Sequence, residues 1–216
     1  ISRQVSEMCI EANHFLSPDM KKVFEANHFL SPDMKKVFES SVEKECSPLG
    51  KQILEQLKEN LMIAGEDKIP ICQDTGMAVV FVKIGQEVSV EGGSLTDAIN
   101  QGVREGYING YLRKSVVRDP IERKNTRDNT PAVIHYDIVP GEGMEITVAP
   151  KGFGSENMSR VFMLKPADGI EGVKNAVLTA VKEAGPNACT PMVVGVGIGR
   201  TFKKCALMAK HALTRD

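Results

Sequence analysis

The run Ala78-Val-Val-Phe-Val-Lys-Ile84 constrains the fold of this chain more than any other stretch. Its apolar residues are consecutive, not alternating, so it reads as a strand buried within a sheet. A buried strand must pair its amides and carbonyls with other strands. Two candidates follow: Ala132 to Val139 and Met144 to Ala149, read as strands joined by the turn Pro140-Gly-Glu-Gly143. Met192 to Val196 reads as a further short buried strand.

Helical signals dominate the N-terminal part, Ile1 to Gly65. Ser47-Pro48 places a cap and a first-turn proline ahead of Ile53, Leu54, Leu57, Leu61 and Met62, which follow the helical period. Ser94 caps a second long helix reaching about Tyr111. Asp168 to Ala184 reads as helix, and Thr201 opens a last one. Helices that cluster first, with strands and helices mixed afterwards, predict an α+β fold: N-terminal helices followed by a mixed β-sheet packed with helices. The 216 residues suit one large domain or two small ones, and the reading taken is a single domain over 1–216.

Glu11 to Phe24 reads EANHFLSPDMKKVF, and Glu25 to Phe38 repeats it letter for letter. Repeat architectures drift between copies and need about three to bury a core. Complete identity points instead to a recent duplication, a cloning artefact or a register error. His14 and His28 are thus copies of one residue and read as packing histidines, not as a metal pair.

Charge excludes several classes of partner. Formal net charge is −1, which gives no footprint for nucleic acid. Short basic runs such as Lys21-Lys22 and Lys203-Lys204 read as solvated helix faces. No apolar run approaches the ~20 residues that span a bilayer, so no membrane partner is expected. The start, Ile1-Ser-Arg-Gln4, lacks the apolar core of a secretion signal, and a cytoplasmic location is the expectation. The five cysteines (Cys9, Cys46, Cys72, Cys189, Cys205) are odd in number and irregularly spaced. That disfavours a disulfide framework and leaves core thiols or metal ligands.

Chemistry concentrates in a few loops. Pro70-Ile-Cys-Gln-Asp-Thr-Gly76 sets a thiol against a carboxamide and a carboxylate, just before a strand. Gly185-Pro-Asn-Ala-Cys-Thr-Pro191 repeats the design of a proline-bounded loop carrying a thiol. Two such loops could bring Cys72 and Cys189 to one sheet edge as thiolate ligands; a lone cysteine can equally be a small buried hydrophobe. Gly195-Val-Gly-Ile-Gly199 departs from the dinucleotide spacing, and no acidic residue follows at the right distance. It reads as a glycine turn from strand to helix whose amides could face an anion. Lys151-Gly-Phe-Gly-Ser-Glu-Asn157 is a second glycine turn, either a plain connection or a backbone cradle for a carboxylate. Arg113 ends the Ser94 helix, either as a surface cation or as a bidentate grip on a dicarboxylate. Asn125-Thr-Arg-Asp-Asn-Thr-Pro131 is a polar loop that could close over a site or merely turn.

Five stretches occur in order: Pro70-Ile-Cys-Gln-Asp-Thr-Gly76, Asn125-Thr-x-Asp-Asn-Thr-Pro-Ala132, Lys151-Gly-x-Gly-Ser-Glu-Asn-Met158, Leu164-Lys-Pro-Ala-Asp-Gly169 and Val193-Val-Gly-Val-Gly-Ile-Gly199. Together they resemble the α subunit, or N-terminal domain, of the class I iron–sulfur fumarate hydratases and their L-tartrate dehydratase relatives. The resemblance covers nearly the whole chain apart from one copy of the repeat. It implies a hydro-lyase that interconverts L-malate and fumarate at the open iron of a 4Fe–4S cluster held by three cysteines. Alternatives are an L-tartrate dehydratase subunit, or a non-catalytic module that binds metal through thiols or assists assembly.

Carried over by motif, Cys72 and Cys189 are cluster ligands. Gln73 and Asp74 meet the substrate hydroxyl and carboxylate region as catalytic contacts. Arg113, Gly152 and Gly154 bind a substrate carboxylate. The family's third cluster cysteine falls beyond Asp216, and Cys205 does not stand in for it. Arg200 stands where a glycine is usual, Thr190 where a proline is usual, and Phe153 interrupts a glycine run. The family's proton-transferring groups belong largely to a β subunit or C-terminal domain. The expected partners are therefore that subunit or domain and a small dicarboxylate, in a homo- or hetero-oligomer, with little turnover by this polypeptide alone.

Overall fold

The computed structural model describes residues 32–67, 69, 72–109, 112–188 and 192–214. The first copy of the repeat, His14, His28, Cys9 and Cys189 lie outside the described residues. The chain divides into two compact units, Ile1–Lys151 and Gly152–Asp216. The fold is α+β, as the order of helix and strand signals predicts.

In the first unit, α1 (Pro32–Lys44) packs against α2 (Pro48–Asp67). The Ser47 hydroxyl accepts the Gly50 amide at 3.3 Å, with Pro48 next to it, so the Ser-Pro signal caps α2 as expected. Leu54, Leu57, Leu61 and Ala64 form the stripe of α2 withdrawn from solvent, whereas Ile53 and Met62 fall outside it and are exposed.

Among the described residues the sheet has three strands in the order β2–β1–β3, with β1 (Met77–Gly85) central. It pairs in parallel with β2 (Val133–Val139) and antiparallel with β3 (Met144–Lys151). One face of β1 presents Ala78, Val80 and Val82, which join Val148 against Ile99, Val103 and Tyr107 of α3 (Leu95–Asn109). Those α3 residues recur at four-residue spacing and so lie along one side of the helix. On the other face Val79 and Phe81 are also buried, and the Phe81 ring stacks on His135 with centroids 5.2 Å apart. Burial on both faces is the physical meaning of the uninterrupted apolar run. Each such Val or Ile contributes about 1.5–3 kcal/mol by leaving water.

The neighbouring side of α3 is polar and has a separate task. Thr96 Oγ1 lies 2.8 Å from the Tyr136 hydroxyl on β2. Asn100 Oδ1 accepts the Ala132 amide at 2.8 Å, and Arg104 Nε donates to Asp128 Oδ2 at 2.9 Å. Spaced by four, these three side chains fasten the approach to β2 along one line of the helix.

The two later strands do not form the expected hairpin. They lie on opposite edges of β1, so the Pro140–Gly143 connection must pass over its end. The crossing is tight. The Gly85 amide donates to Gly143 O at 2.7 Å, Gln86 N to Val139 O at 2.8 Å, and Glu87 N to Gly141 O at 3.2 Å. A Cβ on Gly85 would stand 2.1 Å from Gly141 O. The turn residues are legible locally, but the pairing partner is chosen by burial: β1 alone can cover both strands.

The second unit is mostly helical. It contains the short α4 (Phe153–Asn157), a 3₁₀ turn at Pro166–Asp168, α5 (Gly169–Ala184), a second 3₁₀ turn at Gly185–Ala188, and α6 (Phe202–Ala212). Thr201 caps α6, its hydroxyl accepting Lys204 N at 3.3 Å. Residues 192–198 are not the buried strand expected. Among the described residues they join no ladder, and Val193, Val194, Val196 and Ile198 are exposed. Their glycines pack on α6 instead: a Cβ on Gly195 would meet Ala209 O at 2.2 Å, and one on Gly197 would meet Cys205 O at 2.1 Å. Gly195 and Gly197 thus serve close approach of an extended segment to a helix, while Gly199, at φ 82°, takes part in the turn into α6.

Gly85→Ala should destabilise the protein by roughly 2–4 kcal/mol, because the new methyl displaces a backbone carbonyl. Gly143→Ala, where a Cβ meets nothing within 4 Å, should be nearly neutral. Urea unfolding of both variants checks the contrast; equal midpoints would refute the crossing.

Candidate active site

The Cys72–Gly76 segment links α2 to β1 and carries no regular hydrogen-bond ladder of its own. Its shape comes from side chains. Asp74 Oδ1 accepts the Gly76 amide at 3.0 Å, which closes a turn that Gly76 completes at φ 65°. The half-buried Cys72 thiol points to the Gln73 carboxamide oxygen at 3.4 Å, and the thiol is free of any disulfide. Gln73 is exposed and Asp74 half-buried.

Thr75 ties this segment to Arg113. Its hydroxyl accepts the Arg113 amide at 3.1 Å and lies 3.3 Å from the Arg113 carbonyl. The Tyr107 hydroxyl, at the end of the buried stripe of α3, donates to Thr75 O at 3.0 Å. Arg113 itself is exposed. The structure therefore brings Cys72, Gln73, Asp74 and Arg113 onto two adjoining loops at the edge of the first unit's core.

Asn129 locks those loops together. It is fully buried, at 0% exposure, and its amide is spent in both directions. Nδ2 donates to Gly76 O at 3.0 Å, while Oδ1 accepts Ser115 N at 2.8 Å and Val116 N at 3.1 Å. Its backbone is left-handed at φ 60°, a conformation Asn tolerates better than most residues. The Asn125–Pro131 loop is thus neither a lid nor a plain turn. Sequence reasoning passed over Asn129, Thr75 and Tyr107. The available signal was an Asn-rich turn loop, but a turn motif does not say which distant carbonyl an amide will reach.

Asp128 fixes the loop from the other side. It accepts Arg104 Nε at 2.9 Å, and its Oδ1 accepts the Thr130 amide at 3.1 Å and the Thr130 hydroxyl at 2.8 Å. Burial pushes the carboxyl up, but the Arg104 guanidinium and the two Thr130 donors outweigh it and hold the pKa down at about 2, from 3.8. The Thr130–Pro131 peptide is cis.

The remaining expected site residues belong to the second unit. Gly152 precedes α4, and its carbonyl accepts Glu156 N at 3.1 Å and the Ser155 hydroxyl at 3.2 Å; Gly154 lies within the helix. The Lys151 loop is therefore a strand running directly into a helical turn. Cys189 and Thr190 lie outside the described residues. Arg200 holds a left-handed backbone at φ 68°, which gives a physical reason for the glycine usual there. The Cys205 thiol turns back onto Phe202 O at 3.2 Å within α6, as a helix-packing thiol does.

Cys72 is chemically suited to be one ligand of an iron–sulfur cluster: a half-buried thiol outside any disulfide, on a loop held by buried hydrogen bonds. Nearby, Ser115 Oγ is buried and has no hydrogen-bond partner among the described residues. Among the described residues no group of three or more His, Cys, Asp or Glu is gathered.

The family model for fumarate hydratase (Fumerase) matches residues 19–216, across both units. The chain belongs to the fumarate hydratase family. A protein of Methanocaldococcus jannaschii, provisionally named L(+)-tartrate dehydratase subunit alpha, is 42% identical over 221 aligned residues, covering 100% of this chain and 72% of that protein. The L(+)-tartrate dehydratase subunit alpha of Escherichia coli O157:H7 is 35% identical over 177 residues, covering 80% of this chain and 58% of its own length. That of Shigella sonnei is 33% identical with the same coverage. The chain thus spans less than two thirds of these bacterial relatives. Among the described residues no helix is long and apolar enough to cross a membrane.

Two outcomes test the frame of the site. Asn129→Ala leaves two amides and a carbonyl unpaired in the interior and should lower stability by roughly 3 kcal/mol in urea unfolding. Asp128→Asn should cost about 2 kcal/mol at neutral pH, because a depressed carboxylate pKa stabilises the fold only while the group is ionised. That contribution is present above about pH 4 and is lost as pH falls through about 2, so the gap between variant and parent should close over that window. A gap independent of pH would refute the ion pair as its source.

Proposed function

We propose that this chain is the α subunit, or N-terminal part, of an iron–sulfur hydro-lyase acting on small 2-hydroxy dicarboxylates, with L-malate and fumarate as its pair. The observation that carries the reading is the coupling of Cys72-Gln73-Asp74 to Arg113 through Thr75 and Asn129. A thiol, an amide, a carboxylate and a guanidinium held on one frame are what a hydroxy-dicarboxylate and a cluster require together.

Cys72 and Cys189 would be two of the thiolate ligands of a 4Fe–4S cluster, which when bound would supply Lewis-acid activation of the substrate hydroxyl. Arg113 grips one substrate carboxylate through two parallel N–H donors. In the second unit, Gly152 and Gly154 are the residues proposed for a carboxylate contact. Gln73 hydrogen-bonds the hydroxyl that departs. Asp74, held by its bond from the Gly76 amide, accepts a hydrogen bond from the leaving water. The hydroxyl leaves C2 of malate, and a base from the β subunit or C-terminal domain takes the proton from C3, giving fumarate and water. The working form is a homo- or hetero-oligomer in the cytoplasm.

A second reading is favoured by the names of the relatives. The same loss of water from L(+)-tartrate gives the enol of oxaloacetate, and the additional hydroxyl makes no new demand on Arg113 or Gln73.

The test is anaerobic reconstitution of the full-length subunit with its partner, using iron and sulfide. Cys72→Ser should lose the brown cluster absorbance and all turnover, whereas Cys46→Ser, on an exposed thiol, should keep both. Arg113→Ala should keep the cluster and lose about a hundredfold in kcat/KM, mainly through KM. The ratio of kcat/KM for L-malate and L(+)-tartrate decides between the two substrates. A complete complex that assembles no cluster would overturn the reading.

A further inference from the structure

The loop that carries Asn129 also builds an open surface depression the proposed reaction does not use. It has a volume of about 460 Å³ and is lined by Arg118, Lys124, Asn125, Thr126 and Arg127. Its walls are a small double-stranded corner: Val117 bridges Asn125, Arg118 N donates to Lys124 O at 2.9 Å, and Thr126 N donates to Val116 O at 3.0 Å. The uncharged lining residues are already spent on that frame. Asn125 donates to Lys114 O at 2.9 Å and accepts Arg127 N at 2.6 Å, and the Thr126 hydroxyl donates to Val116 O at 3.2 Å.

The cations are not spent. Among the described residues, no carboxylate stands within ion-pair distance of Arg118, Lys124 or Arg127. Two acidic neighbours in this loop are engaged elsewhere. Asp128 belongs to Arg104, and Asp119 accepts the Ile121 and Glu122 amides at 2.8 and 2.9 Å. Arg127 is held at φ 70°, a left-handed backbone unfavourable for a side chain of that size. Three cations thus line one surface depression of a chain whose net charge is −1. Like charges grouped in this way raise the local concentration of anions. Two guanidinium forks and an ammonium match the oxygens of a compact, multiply charged oxyanion.

We propose that this depression is a second anion site, distinct from the Arg113 contact, for a small molecule bearing two or more phosphate or carboxylate groups. The proposal does not depend on the hydro-lyase reading. Its test is calorimetric titration of the full chain at low salt with two probes, inorganic pyrophosphate and citrate. All variants are made in an Arg113→Ala background, which removes the proposed substrate contact: Arg118→Ala/Lys124→Ala/Arg127→Ala and, as control, Lys203→Ala. All five positions are exposed, and circular dichroism confirms that each variant is folded. The expected result is binding of at least one probe, weakened by added salt, reduced tenfold or more by the triple substitution and unchanged by Lys203→Ala. The stronger probe identifies the phosphate or carboxylate source. No heat from either probe, equal binding after the triple substitution, or equal loss in Lys203→Ala would each overturn the second site. Since neither probe reports dehydration, these outcomes leave the hydro-lyase assay to stand or fall separately.

Discussion

The candidate site depends on one buried amide. Asn129 spends Nδ2 on the carbonyl of Gly76 and Oδ1 on the amides of Ser115 and Val116. Each of these backbone groups would otherwise be desolvated without a partner, and leaving such a group unpaired costs more than making the bond gains. The amide therefore does not merely add stability. It decides that the segment after Cys72 and the segment after Arg113 lie side by side.

The sheet and α3 set the position of that amide. The buried stripe Ile99, Val103, Tyr107 fixes the helix against β1, and the Tyr107 hydroxyl ends the stripe on Thr75 O. The adjoining polar line, Thr96, Asn100 and Arg104, fixes the loop that leads into β2. One helix thus performs two kinds of work on two neighbouring faces. Hydrophobic burial sets its distance from the sheet, and directional bonds set the register of the loop. Burial alone is non-directional and could not place Asn129 within reach of Gly76.

The two units illustrate two uses of glycine that look alike in sequence. At Gly85 and at Gly195 and Gly197 the missing side chain permits a backbone carbonyl to come close. At Gly76 it permits a left-handed turn. The alternate glycines 195–199 invite a ligand-binding interpretation, yet the first two face α6. Membership of the fumarate hydratase family, with the match running from residue 19 to 216, spans both units and so sets the Cys72 loop and the Gly152 turn within one family pattern.

The sequence by itself determined the elements whose cause is local. The caps Ser47, Ser94 and Thr201 start helices where a hydroxyl can reach a free amide. The continuous apolar run placed β1 in the interior, since nothing else can cover both its faces, and the ordered motifs identified the family. Only the tertiary structure decided pairing and long reach. Strands β2 and β3, four residues apart in sequence, flank β1 instead of each other. Residues 192–198, apolar enough for a strand, stay outside any ladder among the described residues. Asn129 bonds to a carbonyl 53 residues away. A cap is set within one turn of helix and is legible in a few letters. A ladder partner, or the acceptor of a buried amide, is set by which distant backbone groups remain unpaired once the core has closed.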